Sequence, residues 1–163
     1  MTDFNTNTDN NDTWLTPPKL IRALGEFDLD PCSPVNRPWD TAKQHYTVVD
    51  DGLIQPWSGR VWLNPPYGKS TFIWLDKLSR HPGGGIALVF ARTETKGFQD
   101  IVFEKASSLF FFRGRIRFYR IDGTEGDSAN APSVLVSYTQ EDTYAIVQAR
   151  LRGDIQGKLV VLK

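Results

Sequence analysis

Apolar residues recur along this chain with two different periods, and those periods divide it into elements. Leu20, Ile21 and Leu24 follow Thr16-Pro17-Pro18 at helical spacing, and Gly25 comes next. Thr16 suits an N-cap, Pro17 the first helical position and glycine a stop, so a helix is predicted over about 17–24. Phe27-Asp28-Leu29-Asp30 reads as a short strand ended by Pro31. Residues 31–58 show no strong period, and no clear strand falls between 33 and 50. Arg60-Val61-Trp62-Leu63 is a β-like run that breaks at Asn64-Pro65-Pro66-Tyr67-Gly68. A helix capped by Ser70 or Thr71 is predicted over about 71–80, with Phe72, Leu75 and Leu78 on one face.

Ile86 to Phe90 is continuously apolar, the pattern of a strand buried on both faces. Thr95 suits the cap of a further helix bearing Phe98, Ile101, Val102 and Ala106. Leu109 to Phe112 reads as another buried strand, which Ile116 to Tyr119 either extends or pairs. Residues 122–130 are polar and read as a loop. Ser133 to Tyr138 and Tyr144 to Ala149 read as two strands joined by a Gln-Glu-Asp turn, with a last strand at 158–163.

Strands that alternate with helices imply an α/β domain with a mostly parallel sheet, and the closing strands imply an antiparallel edge. In such sheets ligands sit beyond the carboxyl ends of the strands. Asp30-Pro31-Cys32 and Asn64-Pro65-Pro66-Tyr67 both fall there. Residues 1–12, rich in Asn, Asp and Thr, read as a disordered tail. The 163 residues suit one domain over 13–163, with no separate target-recognition domain.

Composition removes several classes of function. No apolar stretch approaches the length of a membrane helix, and the N-terminus has no signal-peptide pattern, so a cytoplasmic protein is expected. A single cysteine, Cys32, and two histidines, His45 and His81, argue against a disulfide framework or a metal site. Net charge is zero, but residues 61–120 carry ten Lys/Arg against four Asp/Glu. Within that excess, Arg113, Arg115, Arg117 and Arg120 cluster. They form either a polyanion-binding face or a solvated strand edge.

The segment Asn64-Pro65-Pro66-Tyr67 carries the chemistry. Two consecutive prolines fix the backbone and remove two donors, which leaves nearby carbonyls free to accept. The Asn64 side-chain oxygen and the Pro65 carbonyl make two acceptors for the two hydrogens of a planar NH2 group. Held by both, the nitrogen turns its lone pair outward. Tyr67 supplies an aromatic platform for the ring that bears the amine. The arrangement suits attack by an amine on a sulfonium methyl, with catalysis resting on orientation and fixed dipoles. The plain alternative is a rigid turn with a packed tyrosine.

These motifs have neighbours in a definite order. Trp14-Leu15-Thr16-Pro17-Pro18, Phe27 to Cys32, Asp50-Asp51-Gly52-Leu53 and Trp62 to Gly68 resemble the ordered motifs of amino-methyltransferases that use S-adenosylmethionine. Ala91 to Phe98 and Gly114 to Phe118 narrow the resemblance to the phage-type Dam family of DNA N6-adenine methyltransferases, over about residues 13–120. The resemblance implies a compact Rossmann-like class I fold and methyl transfer from S-adenosylmethionine to the N6 amine of adenine in double-stranded DNA. It implies in-line attack by a base flipped out of the stack. It places Thr16, Pro17, Asp30, Pro31, Cys32, Asp51 and Asn64 at the cofactor. Asn64, Pro65, Pro66 and Tyr67 would hold the target adenine. Arg92, Thr93, Lys96, Arg115 and Arg117 would contact DNA.

Two departures bear on this. No Gly-x-Gly loop follows the first strand, where Asp30-Pro31-Cys32-Ser33-Pro34-Val35 stands instead. No clear second strand ends in an acid to hold a ribose; Asp40 is the candidate for that role, and the plainer reading of it is a solvated loop carboxylate. Transfer to RNA bases or protein glutamine, and a non-catalytic cofactor- or DNA-binding accessory protein, are the alternatives.

Overall fold

The computed structural model describes residues 14–163, so the tail expected at 1–12 lies outside the described residues. A seven-stranded sheet forms the centre. Its strands are β1 (Leu29–Asp30), β2 (Gln44–His45), β3 (Val61–Leu63), β4 (Gly85–Phe90), β5 (Ser108–Phe112), β8 (Ser133–Ser137) and β9 (Gly157–Val161), in the spatial order β2-β1-β3-β4-β8-β5-β9. A separate two-stranded ribbon pairs β6 (Arg117–Tyr119) with β7 (Glu125–Ser128). Among the described residues the helices are α1 (Pro18–Ala23), α2 (Thr71–Arg80) and α3 (Gln140–Leu151), with a π-helical turn at Phe98–Phe103.

The buried runs sort their side chains by period two onto the two faces of the sheet. Val61, Leu63, Ala87, Val89, Val134 and Val136 meet Trp74, Leu75 and Leu78 of α2 and Phe98 and Val102 of the π-helical turn. Trp62, Ile86, Leu88, Phe110 and Leu135 meet Leu20 and Ile21 of α1 and Ile146 and Ala149 of α3. The result is a sheet with helices on both faces, the α/β arrangement expected.

Five strands run the same way, and β8 and β9 run against them. The antiparallel part is therefore not only an edge: β8 lies inside the sheet, between β4 and β5. Its residues Ser133 to Ser137 are all buried, which fits that central place.

Other expectations change. Tyr144–Ala149 is helical rather than a strand, because Thr139 caps α3 by accepting from the Asp142 backbone N–H. Burial then recurs at Asp142, Ile146 and Ala149, at helical spacing. The loop expected at 122–130 contains β7, held by pairing with β6. A second strand does exist between 33 and 50: β2 is two residues long and pairs through main chain, with no apolar pattern to announce it.

Opposite the carboxyl ends of the parallel strands, a buried network locks the fold. Asp142 accepts from Arg60 Nε at 2.6 Å, from the Gly85 N–H at 2.7 Å and from the Thr139 hydroxyl at 2.5 Å. It ties the start of α3 to the starts of β3 and β4.

Candidate active site

The chain leaves β1 for β2 on one side and later returns to β3 on the other, so the strand order reverses between β1 and β3. Leu29 pairs with Val61 in register, so Asp30 and Asn64 emerge at neighbouring carboxyl ends. A crevice at such a reversal is where open α/β sheets bind ligands.

Beside it opens a cleft of about 890 Å³, walled by Pro65, Tyr67, Phe72, Phe90, Phe118 and Trp14, among others. That size suits a small-molecule or nucleobase site. Tyr67 stacks on Phe90, the last residue of β4, with ring centroids 4.5 Å apart and planes 11° from parallel. One face of the tyrosine is thereby covered, and the ring is half exposed. The turn after it needs the positive φ of Gly68, 103°. The Thr71 hydroxyl donates to the Pro66 carbonyl at 2.5 Å and ties this turn to the first residue of α2. Partial burial raises the Tyr67 phenol above its ordinary range, so it stays protonated at neutral pH.

The opposite wall comes from the ribbon. Phe118 of β6 and Asp127 and Ser128 of β7 line the cleft, with Ala129 and Asn130 beyond. Leu15 exchanges both main-chain hydrogen bonds with Tyr119, at 2.8 and 2.9 Å, and Trp14 covers Gly126 so closely that a Cβ there would lie 2.6 Å from its ring. The segment before α1 thus belongs to the ribbon.

Asn64 Nδ2 donates to the Thr16 hydroxyl at 3.2 Å, which brings the Thr-Pro-Pro and Asn-Pro-Pro-Tyr motifs together. Asp30 is buried, and its carboxylate accepts from the Cys32 N–H at 3.1 Å and from the Thr41 hydroxyl. Among the described residues no Lys or Arg forms an ion pair with it. Burial pushes its pKa up to about 6, against the pull of its hydrogen bonds and the weaker pull of the Arg37 charge. Burial and the neighbouring Asp30 carboxylate push the Cys32 thiol up to about 12, so it is no nucleophile. The Pro31 carbonyl abuts Gly52, where a Cβ would approach it to 2.0 Å.

Asp51 adopts a left-handed φ of 61° in an exposed turn and accepts from the Leu53 N–H. Lys77 of α2 donates to the carbonyls of Leu53 and Gln55 at 2.8 and 2.6 Å and pins the loop that follows this turn. The turn is on the Pro31 side and does not line the cleft. Asp40 pairs with Arg37 on the surface.

The expected DNA contacts divide. Arg92 lines the cleft, with Lys69 also on its wall. Thr93 uses its carbonyl to accept from Gln99, and exposed Lys96 pairs with Asp100 at 2.9 Å. Arg115 and Arg117 line a second, shallower groove with Lys19 and Arg113, on the other side of the ribbon. Their guanidinium groups also donate to the Ala129 and Gly126 carbonyls.

Sequence reasoning missed Phe90, Lys69 and the wall at 127–130. An aromatic residue closing a fully buried strand was the available signal for Phe90; the acidic, glycine-containing β7 gave none.

The family model described as DNA N-6-adenine-methyltransferase (Dam) matches residues 3–158, nearly the whole chain. No curated protein and no solved structure matches significantly. The chain belongs to the Dam family of DNA adenine methyltransferases.

Proposed function

We propose that this Dam-family chain moves a methyl group from S-adenosylmethionine to the N6 amine of a flipped-out adenine in double-stranded DNA, within a Rossmann-like class I methyltransferase fold. The observation that carries this reading is the Asn64-Pro65-Pro66-Tyr67 segment at the end of β3, with Tyr67 backed by Phe90 at the cleft.

The residues at the β1–β3 crevice fit the cofactor. A buried carboxylate without a cationic partner, Asp30, suits the ammonium of its methionine part. Pro31, Cys32 and Pro17 would complete that end, Thr16 holds Asn64, and Asp51, in the turn next to Gly52, would face the adenosine part. The cofactor supplies an electrophilic sulfonium methyl. The chain's own part is orientation. Asn64 Oδ1 and the Pro65 carbonyl accept the two N6 hydrogens, and the free face of Tyr67 stacks the adenine. So held, the amine would present its lone pair to the methyl that a bound cofactor would supply, and would give up one N6 proton to water. Arg92 and Lys69 at the cleft, and Arg115 and Arg117 across the ribbon, favour the phosphate backbone, with Thr93 and Lys96 on the next exposed turn. The ribbon supplies the second wall of the base pocket within a single domain.

The test incubates the purified chain with labelled S-adenosylmethionine and unmethylated duplex DNA, then analyses the nucleosides. N6-methyladenine is the expected product, and Asn64→Ala should abolish it while cofactor binding by calorimetry persists. Normal turnover by that variant would remove Asn64 from the mechanism. Cofactor binding without a DNA product would point to RNA or protein glutamine, and no binding at all to an accessory protein.

A further inference from the structure

A primary amide has two ends, and only one of them accepts a hydrogen from an amine. In Asn64 the Nδ2 end is held by the Thr16 hydroxyl at 3.2 Å. The Oδ1 end has no hydrogen-bond partner among the described residues. Asn64 is only partly buried, and its Oδ1 is not among the buried unpartnered side-chain atoms of those residues, which are Arg60 Nη2 and Ser133 Oγ. Oδ1 therefore opens onto accessible space while the other end of the same plane is fixed.

Thr16 is fitted for holding it. Its side chain is buried, 3% exposed. On one side Leu15 is locked to Tyr119 by a reciprocal pair of main-chain hydrogen bonds. On the other side Pro17 caps α1 with φ fixed at −55°. The hydroxyl is thus carried on backbone that is restrained in both directions, and it reaches across 48 residues of sequence to one functional group.

We infer that Thr16 is a positioning residue for methyl transfer: its hydroxyl clamps the plane of the Asn64 amide so that Oδ1 and the Pro65 carbonyl converge on the target amine. The inference rests on the proposed reading of Asn64 and gives Thr16 this function in place of a cofactor contact. A hydroxyl can bond either end of an amide, so Thr16 alone sets the plane. The incoming NH2 group sets the sense, because its hydrogens repel those of Nδ2 and attract Oδ1. The clamp also joins the catalytic motif to the ribbon, since Thr16 is one residue from the Leu15–Tyr119 bridge.

The experiment uses the full chain, unmethylated duplex DNA, N6-methyladenine formation as the steady-state readout, and calorimetry with S-adenosylmethionine. Thr16→Val keeps the shape and loses the hydroxyl; Thr16→Ser keeps the hydroxyl. Thr16→Val should lower kcat about tenfold, the scale of one lost orienting hydrogen bond. Its KM for DNA and its cofactor Kd should stay within about twofold of wild type, since neither ligand loses a direct contact. Thr16→Ser should restore kcat to within about threefold, as expected when the hydroxyl is the active feature. Melting curves report the fold, and Thr16→Ala replaces Thr16→Val under the same criteria if the latter does not unfold cooperatively. Wild-type kcat in Thr16→Val overturns the inference. So does a loss confined to a weaker cofactor Kd, which would return Thr16 to the cofactor. Absence of N6-methyladenine with the wild-type chain would instead overturn the reading of Asn64, and it is a different result from normal transfer by the variant.

Discussion

Asp30 is the residue whose replacement should stabilise the protein and impair it together. Its carboxyl group is buried at the end of β1, and burial raises its pKa from the ordinary 3.8 to about 6. Between those values the folded state holds a proton that the unfolded chain has released, so stability falls as pH rises. The two values correspond to about 3 kcal/mol lost once the group is ionised in both states. Asp30→Asn removes the charge and keeps both hydrogen bonds. The amide oxygen still accepts from the Cys32 N–H, and the amide nitrogen donates to the Thr41 hydroxyl, which turns from donor to acceptor. Urea unfolding of both proteins from pH 4 to 8, without cofactor, checks this. The variant's advantage should be small at pH 4, grow through pH 5 and 6, and level off at about 3 kcal/mol above pH 7. A difference that does not change with pH would refute the reasoning, since only a titrating group produces the slope. The same variant should bind S-adenosylmethionine more weakly, because a neutral amide then faces its ammonium. Higher stability with lower affinity cannot come from general damage to the fold.

Phe90→Leu removes the ring that backs Tyr67. KM for DNA should rise about fivefold, the scale of one aromatic pair, with Phe90→Tyr restoring it in the same assay. Asp142→Ala takes the shared acceptor from the half-buried Arg60 guanidinium, the Gly85 N–H and the Thr139 hydroxyl, and should cost about 3 kcal/mol in urea unfolding at pH 7. Its KM for DNA should not change, because the network is at the far end of the strands. Arg115→Ala should weaken DNA binding and lower the slope of log affinity against log salt by about one. An unchanged slope would place the phosphate contacts elsewhere.

The parts of the fold that were legible are those whose own side chains make the pattern. Ile86 to Phe90 is apolar at every position and became β4, and Phe72, Leu75 and Leu78 marked α2 at its observed bounds. Tyr144 to Ala149 misled because Tyr, Ile and Val favour strands, while the helix is decided five residues earlier by Thr139 and Asp142. That Thr-x-x-Asp cap is present in the sequence and outweighs the local strand propensity. The strand β7, Glu-Gly-Asp-Ser, was not legible at all. It extends because β6 pairs with it and Trp14 covers Gly126, both tertiary causes. The same division runs through the site. Asn64 to Tyr67 is a contiguous motif and reads directly, whereas Phe90 and the ribbon wall reach the cleft only through sheet order.

Asp30 and Asp142 make that division physical. Both are acids, and both are nearly inaccessible, at 4% and 2% exposure. Asp142 meets a guanidinium, a backbone N–H and a hydroxyl, so its burial joins α3 to two strands. Asp30 meets a hydroxyl and one N–H but no ion-paired cation, so its ionisation opposes folding. A fold selected for stability alone has no reason to keep that carboxylate, since asparagine satisfies the same two partners. The cost is explained if the missing cation arrives with a ligand. The amino ends of the parallel strands are therefore where this protein is held together. The carboxyl ends, with the Asp30 carboxylate outside any ion pair, the half-free Asn64 amide and the one-sided Tyr67 stack, are where it is left incomplete for a substrate to finish.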